Sequence, residues 1–384
     1  MNMNWLETYF KGDRVIWLTV MLLSIFSILA VYSSTGSLAY KYQAGNTEYY
    51  LIKHGFILLF GFGLMYGAHL LKYTVYARFS KIAIILAIPL LALTLFTGTN
   101  LNEASRWLTL PIVNLSFQTS DLAKLALILF VARMLSKKQD NIKDFKTTFV
   151  PIMGPVIITC ALILPANFST AAVLFATCVI LMVIGRIRIK YIMMLLGIGV
   201  ITFSLFIGIS KLVGYEGRIA TWEKRIETFM SDDSESSYQS QQAKIAIASG
   251  ELFGKGPGNS SQRNFLPHPY SDFIYAIIIE EYGLFGGAII VVLYLVLFFR
   301  AIQIAQNSPR AFATFLAVGC AFSLTFQAMI NMAVAVNLFP VTGQPLPMLS
   351  MGGTSIWFTS IAIGIILSVS RDDEKEGGVK PVEA

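Results

Sequence analysis

Ten long apolar runs dominate this 384-residue chain. A helix that crosses a bilayer needs about 20 mostly apolar residues, and each run has or approaches that length. The runs cover residues 15–34, 55–71, 82–97, 117–132, 148–165, 169–185, 191–210, 272–299, 311–336 and 355–370. Apolar residues make up 55% of the chain and charged residues only 13%, about half the charged share of a soluble domain. The sequence therefore predicts an all-α polytopic membrane protein with about ten transmembrane helices.

The basic residues predict how the chain is threaded through the membrane. If the N-terminus is inside, the inner segments carry 18 Lys and Arg residues, and the short outer loops carry only Lys41, Lys53 and Arg106. Cytoplasmic loops are enriched in Lys and Arg, so we expect both termini in the cytoplasm and the long loop 211–271 outside it. The net charge of +7 then reflects topology, and no nucleic-acid partner is implied.

The same pattern predicts a single membrane domain over residues 1–371. The first apolar run has no small-residue cleavage site after it, so it is interpreted as a retained helix rather than a removed signal. Residues 372–384 form a short charged tail, which we expect to lack fixed structure.

Cysteine and histidine residues do not indicate a metal site. Cys160, Cys178 and Cys320 lie in apolar runs, where a free cysteine behaves as a small buried hydrophobe. The three histidines are far apart in the sequence. No cofactor is therefore predicted, and a requirement for a divalent cation is left open.

The long loop contains two unusual stretches. In residues 218–230, four apolar residues recur at spacings of three, four and three, which predicts a short helix. That helix either lies in the membrane interface or packs on the protein's own surface. Residues 238–262 are rich in amides and glycines, as in a flexible loop or in a backbone that approaches a phosphate or sugar closely.

A second polar cluster surrounds the fourth run. Trp107 is an expected interfacial anchor, and Arg106 is either another anchor or a binder of a diphosphate. Lys124 lies inside the run, where a charge costs roughly 3 kcal/mol, and Asp121 shares its helical face. Lys124 therefore belongs to a structural ion pair or contacts an anionic substrate.

Prolines and glycines prevent a helix between the last two runs. Residues 340–353 contain three prolines and three glycines. Non-helical backbone at membrane depth must be satisfied by protein or water. We expect a re-entrant or capping loop over a cavity.

Three acids begin the eighth run. Two prolines, at 267 and 269, bring the chain to Ser271 in an extended conformation. Ser271 is predicted to cap the helix, with Asp272 in its first turn. Exposed N–H groups there favour negative charge, so Asp272 is expected to be ionised.

The other two acids are expected to be mainly structural. Glu280 and Glu281 lie about 100° apart on one helix, so they should face different neighbours. We expect one of them, or Asp121, to pair with Lys124 across the bundle.

Six stretches together resemble the SEDS family of polytopic membrane proteins, whose members include FtsW, RodA and SpoVE. They are RW at 106–107, FQTSDLAKLA at 117–126, YQSQQAKIAIASG at 238–250, GKGPGNSSQ at 254–262, LPHPYSDFIYAIIIEEYGLFGG at 266–287 and PVTGQPLPMLSMGGTS at 340–355. The resemblance covers essentially the whole chain. It implies a peptidoglycan glycosyltransferase that polymerises lipid II on the outer face of the bacterial cytoplasmic membrane.

The resemblance also implies partners and a cellular role. A class B penicillin-binding protein is expected to cross-link the product, and other division proteins are further candidate partners. Residues 165–170 and 331–347 are more similar to FtsW-type members, which implies septal synthesis. Side-wall elongation, as by RodA-type members, is the alternative.

The resemblance, together with the chemistry of the side chains, leads to expected roles for individual residues. Asp272 is expected to be catalytic, as the base for the attacking hydroxyl. The residues assigned to substrate binding are Arg106, Lys124, Arg218, Arg225, Gln239, Gln242, Lys255, Gly256, Pro267, Ser350, Gly352 and Gly353. Asp121, Glu280 and Glu281 are assigned to structural ion pairs.

The chain departs from the family pattern at two places. Residues 118–121 read QTSD where the family usually has Gln-Pro-Ser-Glu, and Asn167 stands where it usually has Asp. An amide does not exchange a proton at neutral pH, so Asn167 is not expected to act in acid–base catalysis.

Two other functions are compatible with charges inside membrane runs. A lipid II flippase would use such charges along a substrate path, but the polar clusters collect on one side of the membrane. A scaffold that only recruits division proteins leaves the outer acids and the proline-rich loop unexplained.

Overall fold

Twelve α-helices form the fold of the described part of the chain. The structure, a computed structural model, describes residues 11–97, 99–101, 104–110, 115–213 and 238–377. The helices are α1 (Arg14–Ser34), α2 (Gly36–Tyr42), α3 (Thr47–Leu70), α4 (Tyr73–Thr97), α5 (Thr119–Lys137), α6 (Val150–Ile163), α7 (Phe168–Ile184), α8 (Ile189–Val213), α9 (Tyr238–Gly250), α10 (Ile274–Asn307), α11 (Ala311–Ala335) and α12 (Thr354–Gly377). Two 3₁₀ turns cover Gln139–Asn141 and Gln262–Asn264, and a π-helical turn covers Phe145–Phe149 before α6.

Ten of these helices overlap the ten predicted spans, which confirms the all-α polytopic fold class. Seven helical segments of the described chain are long and apolar enough to cross a membrane. Helix α7 (Phe168–Ile184) and the part of α8 over Ile189–Ile201 are shorter apolar segments. The remaining span is α5, which carries Asp121 and Lys124, and the short helices α2 and α9 lie in connections.

Polar residues at the start of three helices explain where those helices begin. The side-chain oxygen of Asp13 accepts a hydrogen bond from Ile16 N at 3.0 Å at the start of α1. Asn46 and Asn167 cap α3 and α7 in the same way. Each cap satisfies a backbone N–H that the first helical turn leaves without a partner.

A small antiparallel sheet precedes α5. It contains β1 (Thr99–Leu101), β2 (Ala104–Leu110) and β3 (Leu115–Gln118), in the order β1-β2-β3. In its register Trp107 lies opposite Gln118. The sequence interpretation had no strands here, because these segments are too short to show a period-two pattern. The sheet brings Trp107 to the start of α5.

The helices differ in how deeply they are packed. In α11, 72% of the apolar segment is buried inside the protein, and in α12 the share is 83%. In α3 and α4 it is only 28%. α11 and α12 therefore form the centre of the bundle, and α3 and α4 expose most of their apolar surface, as helices that face lipid do.

Helix α10 is broken at Gly283. This residue has φ 69° and ψ −176°, so the i→i−4 hydrogen bonds that would cross it are absent. The carbonyls of Glu280 and Glu281 instead accept from Lys255 N at 3.0 Å and from Gly256 N at 2.9 Å. Residues 255 and 256, in the connection before α10, thus supply the donors that the helix backbone would otherwise supply.

The same segment satisfies the other side of the break. Leu284 N donates to Glu251 O at 2.9 Å, and Phe285 N donates to Leu252 O at 3.2 Å. A Cβ atom at Gly283 would lie 2.2 Å from Leu252 O. Only glycine therefore allows the inserted segment 251–256 to approach this closely.

The connection between α11 and α12, residues 336–353, is non-helical as predicted. Its prolines leave backbone carbonyls without helical partners, and neighbouring helices supply donors. Ser27 Oγ on α1 donates to Leu349 O at 2.9 Å, and the Tyr294 hydroxyl on α10 donates to Pro347 O. The connection is thereby fixed against two helices.

Two predictions about flanking segments had different outcomes. The disordered tail was predicted to begin after Arg371, but α12 continues to Gly377. Arg371 Nη1 donates to His69 O at 2.6 Å, and Asp372 accepts from Arg371 Nη2 at 2.8 Å. The bond from Arg371 attaches the helix to the end of α3 at the point where its apolar residues end. The helix predicted for residues 218–230 lies outside the described residues.

Candidate active site

A cavity of about 400 Å³ lies where six elements meet. These are the β2–β3 hairpin, the starts of α5 and α7, the turn before α10, α11 and the α11–α12 connection. The cavity is lined by Trp107, Gln118, Asp121, Lys124, Asn167, Thr170, His268, Tyr270, Ser271, Asp272, Gln327, Gly343, Gln344, Pro345, Met351, Gly352 and Gly353. It brings together the fourth-run cluster, the acid before α10 and the proline-rich connection, which are far apart in the sequence.

Asp272 lies in a turn and not in a helix. Helix α10 begins at Ile274 after Phe273, which makes no side-chain cap, so the predicted cap by Ser271 is wrong. The Ser271 hydroxyl instead donates to Asp272 Oδ1 at 3.0 Å. The prediction failed because contacts with other elements hold the backbone around residue 271 in a turn, so the helix begins only at Ile274.

Three consecutive backbone carbonyls hold this turn. Met351 N donates to Tyr270 O at 2.9 Å, Ser350 Oγ donates to Ser271 O at 2.6 Å, and Asn331 Nδ2 donates to Asp272 O at 3.0 Å. The donors belong to α11 and to the α11–α12 connection. The position of Asp272 therefore depends on that connection.

Ser350 does not line the cavity, although the sequence interpretation assigned it to substrate binding. Its side chain is buried, and its hydroxyl also accepts from Leu346 N at 2.8 Å. Both of its bonds go to backbone groups of the protein. Ser350 therefore links the connection to the turn.

Lys124 projects from α5 into the cavity. Its Nζ lies 2.7 Å from Asp121 Oδ1 and 3.0 Å from Gln327 Oε1. Of the three acids that were expected as alternative partners of Lys124, Asp121 is the one observed, and Glu280 pairs with Lys255 instead. Since Asp121 is three residues earlier on the same helix, the pair needs no bridge across the bundle.

Glu280 binds the connection before α10. Its Oε1 accepts from Lys255 Nζ at 2.7 Å and from Ser261 Oγ at 2.9 Å, and its Oε2 accepts from Gln262 N at 3.2 Å. Lys255 was assigned to substrate binding, but the structure places its ammonium on this buried carboxylate and outside the cavity. Glu280 thus forms a structural ion pair, with Lys255 as its partner.

Glu281 faces a different neighbour, as expected from its helical position. It accepts a hydrogen bond from Ser33 Oγ on α1 and another from Ser260 N at 3.3 Å. Arg263 Nη1 also reaches Ser33, by donating to its carbonyl at 3.2 Å. These contacts fasten the segment around residue 260 to α1.

His268 and Tyr270 form a pair at the cavity wall. His268 Nδ1 lies 3.1 Å from the Tyr270 hydroxyl, and His268 has a left-handed backbone with φ 55°. Burial raises the pKa of Tyr270, with smaller contributions from Tyr42, Tyr50 and Asp272. Tyr270 is therefore neutral at physiological pH and can donate or accept within the cavity.

Asn167 also lines the cavity. Its Oδ1 accepts from Thr170 N at 3.1 Å and caps α7, and Thr170 lines the cavity beside it. An Asp at this position could make the same cap. The amide therefore retains the capping geometry without contributing a negative charge.

The other assigned residues fall into three groups. Gly352 and Gly353 line the cavity. The residues away from its lining are Gln239 and Gln242 on α9, Gly256 in the inserted segment, and Pro267. Arg218 and Arg225 lie outside the described residues, and Arg106 lies in β2 without a described side chain.

Several site residues were missed from the sequence. Gln327 and Asn331 are amides four residues apart inside the ninth apolar run. Polar residues buried in membrane helices are often functional, so this spacing was a usable signal. His268 was considered only as a metal ligand. Within the described ranges, no group of three or more His, Cys, Asp or Glu residues could hold a metal ion.

The chain is similar to known proteins over nearly its full length. The sequence model of the family of FtsW, RodA and SpoVE cell cycle proteins matches residues 13–375. Stage V sporulation protein E of Bacillus subtilis is 35% identical, over 94% of this chain and 97% of that protein. The probable peptidoglycan glycosyltransferase FtsW of Geobacter sulfurreducens is 32% identical, over 96% of this chain and 97% of that protein.

Solved structures show the same fold. A chain from a peptidoglycan synthase complex, described for its coordination of polymerization and crosslinking, superposes with a TM-score of 0.74 at 21% identity, over 94% of this chain and 98% of that chain. The rod shape determining protein RodA of Thermus thermophilus gives a TM-score of 0.68 at 22% identity, over 95% and 98%. This chain is a multi-pass membrane protein that belongs to the FtsW, RodA and SpoVE family, the SEDS family.

Proposed function

We propose that this chain is a peptidoglycan glycosyltransferase that polymerises lipid II. The observation that carries the proposal is that Asp272 and Lys124 line the same cavity. Relatives at about one-third identity are named as probable peptidoglycan glycosyltransferases. A carboxylate and a cation are the two groups that transfer of a sugar from a diphosphate requires.

The reaction joins two lipid-linked sugars. A hydroxyl of the acceptor sugar attacks the anomeric carbon of the donor, and a new glycosidic bond forms. Asp272 takes the proton of that hydroxyl. The bond between the anomeric carbon and the diphosphate oxygen breaks, and undecaprenyl diphosphate leaves with the bonding electron pair.

Lys124 would stabilise the leaving diphosphate. Its side chain is 14% exposed and that of the paired Asp121 is 3% exposed, so the cation is the more accessible member of the pair. Partial burial strengthens the interaction between Lys124 and an anionic oxygen. Arg106, Arg218 and Arg225 are further candidate cations for the same charge.

The proposed setting is the outer face of the bacterial cytoplasmic membrane, with both termini inside. The distribution of Lys and Arg supports this orientation. We favour septal synthesis over side-wall elongation, because residues 165–170 and 331–347 are more similar to FtsW-type members. A class B penicillin-binding protein is the proposed cross-linking partner, as the peptidoglycan synthase complex among the structural neighbours suggests.

The test is polymerisation by the purified full-length chain, alone and with its penicillin-binding partner. Lipid II is supplied in detergent with and without a divalent cation, and glycan strands are resolved on a gel. The proposal predicts strands that disappear when Asp272 is replaced by Asn. Movement of lipid II across vesicles with no strand formation under any of these conditions would contradict polymerisation and favour a flippase.

A further inference from the structure

Helix α11 carries two buried amides one turn apart, Gln327 and Asn331, with exposures of 6% and 1%. A buried amide is costly unless its polar atoms are hydrogen-bonded. Both side chains face the same direction, towards the cavity and the α11–α12 connection. Their bonds therefore indicate why two such residues occur in a membrane helix.

Gln327 links the site cation to the connection. Its Oε1 accepts from Lys124 Nζ at 3.0 Å, and its Nε2 donates to Pro345 O at 2.9 Å. The ammonium of Lys124 is thus held by Asp121 from its own helix and by Gln327 from α11.

Asn331 links the site acid to the same connection. Its Nδ2 donates to Asp272 O at 3.0 Å and to Gln344 O at 2.7 Å. Gln344 and Pro345 are consecutive residues, so the two amides fasten Lys124 and Asp272 to adjacent peptide units. Together they form a frame that spans the cavity from the cation to the acid.

We propose that Gln327 and Asn331 are positioning residues that fix the separation between the Lys124 ammonium and the Asp272 carboxylate. This inference rests on the proposed transfer reaction. Asn331 does not line the cavity, so it acts through Asp272 and not on the substrate. Gln327 does line the cavity, so its replacement could also change substrate binding. Asn331 is therefore the residue to test.

Loss of Asn331 should impair chemistry more than binding. The turn keeps its bonds from Ser350 and from Met351 N, so it stays folded, but the Asp272 carbonyl loses its donor. A misplacement of a catalytic group by about 1 Å can lower a rate by about 100-fold. Substrate affinity depends on the cavity walls, which do not include Asn331.

The experiment compares Asn331→Leu with a control on the same helix. Leucine has the same branching and the same number of side-chain heavy atoms as asparagine, and it has no donor. We expect kcat for lipid II polymerisation to fall by about tenfold or more, with KM unchanged within about twofold. Thr325→Val is the matched control, because Thr325 is buried in α11 and its hydroxyl has no partner among the described residues. It should retain the wild-type kcat.

A second comparison separates positioning from general damage. In an Asp272→Asn background, assayed with enough enzyme to measure a rate that is roughly 10²–10⁴-fold lower, Asn331→Leu should change that rate by less than about twofold, because no carboxylate base is left to position. An equal fold-loss in both backgrounds, a change confined to KM, or retention of more than half of the wild-type kcat would each overturn the inference. An inactive wild-type protein would instead count against the proposed function itself.

A variant that fails to fold is replaced by a milder one. If Asn331→Leu lowers the melting temperature so far that kinetics are not measurable, Asn331→Ala is assayed in the same way. It removes the same donor to Asp272 O without adding volume, and should lower kcat at unchanged KM with the same dependence on Asp272. An unchanged kcat for Asn331→Ala would then overturn the inference.

Discussion

The Nζ atom of Lys124 lies 2.7 Å from Oδ1 of Asp121, one turn earlier on α5. The second carboxylate oxygen of Asp121 is buried and has no hydrogen-bond partner among the described residues. Lys124 therefore compensates most of the negative charge of the buried Asp121 carboxylate. The cation serves both the stability of the bundle and the chemistry proposed for the cavity.

Replacing Lys124 by Met should destabilise the protein. A buried charge that loses its partner typically costs about 3–5 kcal/mol, so the melting temperature of the detergent-purified protein should fall. Asp121→Asn in the same chain should restore most of that loss. Lys244→Met, on the exposed face of α9, is the control. Unchanged stability together with lost polymerisation would make Lys124 a substrate contact only.

Replacing Asp272 by Asn should abolish polymerisation without unfolding the protein. Loss of a general base lowers the rate by roughly 10²–10⁴-fold, while the bonds to the backbone carbonyls of residues 270–272 remain. The protein should still bind the proposed penicillin-binding partner. Glycan strands on a lipid II gel provide the measurement. A residual rate above about a tenth of wild type would exclude Asp272 as the base.

Ser271→Ala is a milder change at the same site, because it alters a contact of Asp272 and leaves the acid in place. It removes the hydroxyl that donates to Asp272 Oδ1 at 3.0 Å but keeps the carboxylate. We expect a loss of activity by a few-fold, since a single hydrogen bond contributes about 1 kcal/mol. A loss as large as that of Asp272→Asn would mean that the serine hydroxyl itself takes part in the transfer.

Gly283→Ala should disrupt the break in α10. A left-handed φ costs a non-glycine residue about 1–3 kcal/mol, and the new Cβ would lie 2.2 Å from Leu252 O. The melting temperature should drop, and residues 251–256 should become accessible to protease. Gly63→Ala is the control, because nothing lies within 4 Å of a Cβ atom there. Equal stability of the two variants would contradict the insertion.

Single cysteines should report the orientation of the chain. The three native cysteines are buried, so an exposed new thiol would be labelled selectively. Asn264→Cys should react with an impermeant thiol reagent added to intact spheroplasts, and Asn141→Cys should react only after lysis. The opposite pattern would place the cavity on the cytoplasmic side and remove the proposed access to lipid II.

The spans were predictable because each depends on a local quantity, the length of an apolar run. The same holds for the helix break over the α11–α12 connection, where prolines decide the backbone. The cap at Ser271 was mispredicted because Ser350 and Asn331, which fix that turn, are distant in sequence. The local sequence around Ser271 does not show that these two residues bind the backbone carbonyls of residues 271 and 272.

The partners of the charged residues were also beyond local prediction. Lys255 binds Glu280 only because residues 251–256 enter the break in α10, and nothing near Gly283 in the sequence announces that insertion. Glycines at 254 and 283 are compatible with many turns. Helix α9 was missed because its amides and glycines are typical of loops, although Ala243 and Ala246 bury one face of it against α10.

The break at Gly283 has a consequence for how the protein is made. In lipid, an unsatisfied backbone group costs several kcal/mol, so α10 is not complete as an independent unit of insertion. Its missing donors and acceptors come from residues 251–256, which leave the ribosome before α10 does. Since synthesis runs from the N-terminus, residues 251–256 are made first, and we expect them to bind the break in α10 as α10 enters the bilayer.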